Sequence, residues 1–170
     1  QFLTKQYPKT FIIWNILGAA NKGLGQIERA SKAFKKVTEL NPNYADGFNN
    51  LCITLQILGK YEEAIKSYNN ALSLKPNYPE AYSNLANVFK NQGKLNKAID
   101  AYKKSISLKP DYAEAFYNMG TALKEHNKLD EAIEAYKKAL SIKPDYAEAY
   151  SNMASVLIDQ SKLDEAIDYG

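Results

Sequence analysis

Four asparagines stand 34 residues apart, Asn50, Asn84, Asn118 and Asn152, and a side-chain amide offers both a donor pair and an acceptor. That combination can hold the peptide groups of an extended chain without reading its side chains. Residues that carry covalent or acid–base chemistry are scarce by comparison. Cys52 is the only cysteine and occupies a small apolar position, as a packed core thiol would; one cysteine allows neither an internal disulfide nor a cysteine-based metal site. His126 is the only histidine, with no second ligand or acid–base partner at motif spacing, so a solvated turn residue is expected. Gly18 to Gly23 imitates the start of a phosphate loop, yet Leu24 and Gly25 stand where Lys and Ser or Thr are required, and no strand precedes it. Nothing resembles a nucleophile with its base or a pair of carboxylates in a pocket. The segment is expected to be non-catalytic, with no cofactor and no metal site.

The asparagines are positioned by a repeat. Pro8, Pro42, Pro76, Pro110 and Pro144 also fall 34 residues apart, and the same order of apolar, small and turn residues recurs between them. In the unit from Ala113 to Tyr146, Phe116, Met119, Gly120 and Leu123 follow helical spacing, as do Ala132, Ile133, Tyr136, Ala139 and Leu140, which predicts two amphipathic helices. The break falls near Asn127, where other units carry Gly25, Gly59 and Gly93, the residues a left-handed helix end requires. Each unit is therefore a helical hairpin that buries its apolar stripes only by stacking on its neighbours. Numbering a unit from Ala113 as position 1, positions 4, 7, 8 and 11 form the buried stripe of the first helix, and positions 2, 6, 9 and 13 lie about 180° away. The asparagines hold position 6. Lys90 and Lys124, at position 12, flank that face and would attract acidic segments.

These residues resemble the tetratricopeptide repeat pattern, Trp-x2-Leu-Gly-x2-Tyr, then Ala-x3-Phe, then Pro. Trp14, Leu17, Gly18, Ala30, Phe34 and Pro42 follow it, and later copies read Phe48, Leu51, Cys52, Ala64, Tyr68, Pro76 and Tyr82, Leu85, Ala86, Ala98, Tyr102, Pro110. Asn21 departs from the usual Tyr and Ser105 from the usual Ala. The resemblance implies an all-α helical-hairpin solenoid, a right-handed superhelix of 34-residue repeats. The whole chain, 1–170, reads as one array: 1–10 ends a preceding repeat, 11–44, 45–78, 79–112 and 113–146 are full repeats, and 147–170 is a partial one. The phrases AYSNLANVFK and AYSNMASVL are similar to the repeat arm of O-linked N-acetylglucosamine transferases and related bacterial repeat proteins. In that family an asparagine ladder on the concave wall grips a threaded polypeptide. Carried over by position, Asn50, Asn84, Asn118 and Asn152 would be its rungs, with Asn87, Asn91 and Thr121 beside them. Ile16 replaces the rung in the first unit. Copies duplicated from one ancestor also share residues, so both origins of the ladder stay open. Clamps of this family that hold a terminal carboxylate present Lys and Arg at positions 2 and 6, whereas this chain has acid and Asn there.

Asp46, Glu80, Glu114 and Glu148 stand three residues after Asn43, Asn77, Asp111 and Asp145, which is capping-box spacing and predicts helix capping. The net charge of +3 conceals a gradient, from seven basic against two acidic residues over 1–44 to one against five over 147–170. No basic stripe with arginines and stacking aromatics marks a nucleic-acid face. The run Phe11 to Ala20 keeps the repeat register and is too short to span a membrane. A cytoplasmic location is expected. A single arginine among 22 basic residues fits an AT-rich bacterial coding sequence. The leading reading is a protein-interaction module that binds an extended peptide or partner protein on its concave face. An alternative is the substrate-selecting arm of a larger glycosyltransferase whose catalytic domain lies elsewhere. A third is a scaffold that self-associates end to end, since no polar capping helix seals either end and the ends are oppositely charged.

Overall fold

The computed structural model describes residues 6–160, which contain nine α-helices. In chain order these are α1 (Phe11–Gly23), α2 (Ile27–Leu40), α3 (Ala45–Ile57), α4 (Tyr61–Leu74), α5 (Pro79–Asn91), α6 (Leu95–Leu108), α7 (Ala113–Glu125), α8 (Leu129–Ile142) and α9 (Ala147–Asp159). First helices of 13 residues alternate with second helices of 14, and first helices begin at Phe11, Ala45, Pro79, Ala113 and Ala147. The chain divides after Val88 into two compact units. In the first, α1 packs on α2, α2 on α3 and α3 on α4. In the second, α6 packs on α7, α7 on α8, and α9 on both α8 and α7. None of the helices is long and apolar enough to cross a membrane. Residues 1–5 of the expected preceding repeat and 161–170 of the expected partial repeat lie outside the described residues.

The reversal inside each hairpin has a local cause. Gly25, Gly59 and Gly93 sit at φ 71°, 70° and 70°, and Asn127 at 59°. After α3, the Gly59 N–H donates to the Gln56 carbonyl at 3.0 Å and the Lys60 N–H to the Leu55 carbonyl at 2.9 Å. This pair of bonds satisfies carbonyls that the helix end leaves open, and it needs a left-handed residue at Gly59.

The hairpin core is built by one aromatic per second helix set against a small residue on the first. Phe34, Tyr68, Tyr102 and Tyr136 are buried, along with Ala30, Ala64, Ala98 and Ala132 one turn earlier. A Cβ on Gly18 would come 2.6 Å from the Phe34 ring and one on Gly120 2.7 Å from the Tyr136 ring, so these glycines set the approach of their helices. Cys52 fills the same slot against Tyr68; it is fully buried, its Sγ donates to the Phe48 carbonyl at 2.8 Å, and burial pushes its thiol far above the usual range. That agrees with a packed core thiol.

Helix starts depart from the expected capping box. The N-cap residues of α3, α7 and α9 are Tyr44, Tyr112 and Tyr146, and none of them makes a side-chain cap bond. Asn43, Asp111 and Asp145 lie one residue too early to cap. The tyrosines are held by packing instead. Lys75 lies 4.0 Å from the Tyr78 ring centre, Lys109 4.7 Å from Tyr112 and Lys143 4.5 Å from Tyr146, a cation–π contact repeated from the Lys-Pro-x-Tyr sequence. Asp46, Glu114 and Glu148 still fall in the first turn, where a negative charge complements the helix dipole. Asp46 also lies 3.8 Å from the Lys75 ammonium.

Candidate functional site

The ladder residues are carried by first helices, whose opposite face is taken up by hairpin packing. In the first unit, Asn50 and Asn84 are both half-buried. Asn50 donates from Nδ2 to Asn15 Oδ1 at 3.3 Å, reaching the preceding first helix 35 residues back. Asn84 makes no side-chain hydrogen bond among the described residues. Asn87 is half-buried one turn further along α5. In the repeat over 11–44, Ile12 and Ile16 expose 55% and 63% of their surface, so the face turns apolar there.

In the second unit, Lys90, Asn118, Thr121, Lys124 and Asn152 are half-buried and Asn91 is exposed. Asn118 has no side-chain hydrogen bond among the described residues. Asn152 repeats the link of Asn50, its Nδ2 donating to Tyr117 Oη at 3.1 Å, again 35 residues back. Thr121 donates to the Tyr117 carbonyl at 3.2 Å and receives the Tyr136 hydroxyl at 3.4 Å. Lys124 donates to Ser155 Oγ at 2.9 Å and lies 4.0 Å from Asp159, so its charge is partly committed to α9. The Tyr117 ring lies 4.9 Å from that of Tyr146 and 6.0 Å from that of Tyr136.

The ladder therefore holds two kinds of rung. Asn50 and Asn152 tie one first helix to the one before it, and Asn152 also hydrogen-bonds the Tyr136 hydroxyl. Asn84 and Asn118 carry whole amides with no internal bond. Sequence reasoning missed Asn15 and Tyr117 as partners, although a polar side chain at position 5, opposite position 6 of the next repeat, was the available signal. Tyrosine hydroxyls near this face stay neutral: burial, with Glu114 and Tyr117 nearby, pushes Tyr146 up to about 12, and burial raises Tyr136 against the lowering effect of its Thr121 bond.

Elsewhere, His126 Nε2 lies 2.6 Å from Asn96 Oδ1 beside a turn. Among the described residues, no three His, Cys, Asp or Glu side chains are grouped to hold a metal ion.

A family model described as TPR repeat matches residues 54–93, 87–127 and 120–161. Two more, described as tetratricopeptide repeat, match residues 33–66 and 12–44. No curated protein matches the sequence. Among solved structures, a crystal structure of MamA protein is 31% identical, covering 95% of this chain and 88% of that one, with a TM-score of 0.82. The structure of pilF from Pseudomonas aeruginosa is 21% identical over 94% of this chain and 72% of that one, with a TM-score of 0.85. YrrB, described as a TPR protein with an unusual peptide-binding site, is 18% identical over 98% of this chain and 86% of that one, with a TM-score of 0.74. With the last two the likeness is one of fold.

Proposed function

The chain belongs to the tetratricopeptide repeat family, and on that footing we propose that it grips an extended peptide along the concave face of its array through the asparagine ladder. The fold is an all-α helical solenoid, and its general role is that of a protein-interaction module. The observation that carries the finer reading is the pair Asn84 and Asn118, half-buried amides with no side-chain hydrogen bond among the described residues. An asparagine inside a helix costs about 0.5 kcal/mol against alanine, and these two recover nothing from the fold. An extended peptide offers one N–H and one C=O per residue, which match the amide's acceptor and donors. Asn50 would add its second N–H, and Lys90 a positive flank. That YrrB is described as having a peptide-binding site supports the class of ligand.

The test takes unstructured 12-residue peptides selected from a display library on the native chain, with affinities read by fluorescence anisotropy. Each amide contributes about 1 kcal/mol net, so Asn84→Ala with Asn118→Ala should weaken binding roughly thirtyfold. Unchanged affinity in a double variant whose helical circular dichroism is intact would sink the reading.

A further inference from the structure

The first unit contains a groove that the ladder does not use. It measures about 510 Å3 and lies between α2 and α4, with Phe48, Leu51 and Leu55 of α3 as its floor. These residues lie on the side of α3 away from Asn50. The periodicity assigned all three to the buried stripe, yet Phe48 is only half-buried. The volume falls within the roughly 300–1,000 Å3 of sites that take a drug-sized ligand, room for large apolar side chains.

The rim is basic. Lys32 and Lys35 enter from α2, and Lys60 and Lys66 from the α4 side, against Glu39 and Glu63. Both carboxylates are already engaged, Glu39 with Lys36 at 3.1 Å and Glu63 with Lys60 at 3.7 Å. The Lys32, Lys35 and Lys66 side chains are exposed and have no ion pair or hydrogen bond among the described residues. The corresponding groove of the second unit, about 390 Å3 over Phe116, Met119 and Leu123, lacks the basic excess. Glu134 stands there at the repeat position of Lys66, and with Asp130 and Glu131 it outnumbers Lys103 and Lys138 on the rim. The basic rim is thus a property of one groove and not of the repeat.

We propose that the groove of the first unit docks an acidic segment of a partner protein, in which Asp and Glu flank one or two large apolar side chains. The apolar anchors cover Phe48, Leu51 and Leu55 and supply most of the affinity; the three uncommitted lysines steer the segment and fix its charge pattern. The inference is independent of the ladder.

A display library of 12-residue peptides panned on the Asn84→Ala, Asn118→Ala variant removes the two untied rungs of the ladder and leaves the groove. The selected peptides should be rich in Asp and Glu around Phe, Leu or Trp, and raising the salt concentration should weaken them. Lys32→Glu, Lys35→Glu and Lys66→Glu together should lower their affinity roughly tenfold or more, while Glu131→Lys with Glu134→Lys in the second unit should not. All these positions are exposed, so circular dichroism should show the fold retained. Selected peptides without acidic excess, or an affinity indifferent to the lysine reversals, would overturn the proposal. Concentration-dependent dimerisation abolished by the same reversals would make the occupant a second copy of this chain, and would overturn the assignment to a partner protein.

Discussion

Removing one hydroxyl should have opposite effects at two equivalent repeat positions, Tyr68 and Tyr136. Both rings are fully buried. The Tyr136 hydroxyl donates to Thr121 at 3.4 Å, whereas the Tyr68 hydroxyl is buried with no hydrogen-bond partner among the described residues. The residue fifteen positions earlier accounts for the difference: Thr121 in one repeat, Ile53 in the other. Tyr136→Phe loses a long hydrogen bond but strands nothing, because Thr121 still donates to the Tyr117 carbonyl. It should destabilise by about 0.5–1 kcal/mol. Tyr68→Phe deletes an unsatisfied polar group whose burial costs about 1–3 kcal/mol, and leaves the ring packing in place, so it should stabilise by about 1 kcal/mol or more. Urea unfolding followed by circular dichroism reads both signs, provided the slope with denaturant is unchanged between variants. Ile53→Thr supplies a partner and should help in the Tyr68 background but not in Tyr68→Phe. If Tyr68→Phe destabilises as much as Tyr136→Phe, the hydroxyl is satisfied after all and the argument from Ile53 fails.

Two further expectations rest on backbone and on ionisation. Gly59→Ala places a side chain at φ 70° and should cost about 1–2 kcal/mol, while Asn127→Gly, at φ 59°, should be neutral or slightly stabilising; thermal melts of the two variants should move in opposite directions or show only the first shifting. Burial raises Tyr68, Tyr78, Tyr102 and Tyr136 above the ordinary tyrosine value of 10 and brings Tyr146 to about 12. The native state therefore holds phenolic protons that the unfolded chain releases, so stability should be constant up to about pH 10 and fall above it, as pH rises through the native values. Absorbance at the tyrosinate band should lag behind a free-tyrosine titration and rise together with helix loss; full ionisation near pH 10 with helices intact would contradict the burial argument.

The sequence by itself determined the hairpins and their ends. Helical spacing of apolar residues, Gly or Asn where the chain must turn left-handed, and Pro in the following loop are signals read within a few residues of where they act, and a 34-residue period repeats them four times over. The buried aromatics at Phe34, Tyr68, Tyr102 and Tyr136 were legible for the same reason. The candidate site was legible only as a register: position 6 could be placed on the right face, but not given its partners. Whether an amide there is tied, as in Asn50 to Asn15 and Asn152 to Tyr117, or free, as in Asn84 and Asn118, depends on a side chain 35 residues away. The same holds for the orphaned hydroxyl of Tyr68, set by Ile53, and for the tyrosines that displaced the expected Asn and Asp caps by packing at the helix starts. The basic groove required most of the tertiary structure, because its lysines come from two second helices and its floor from a third element between them. Local conformational preference acts along the chain and is written in adjacent residues; hydrogen-bond partners and surface charge are decided by which repeats come to lie side by side.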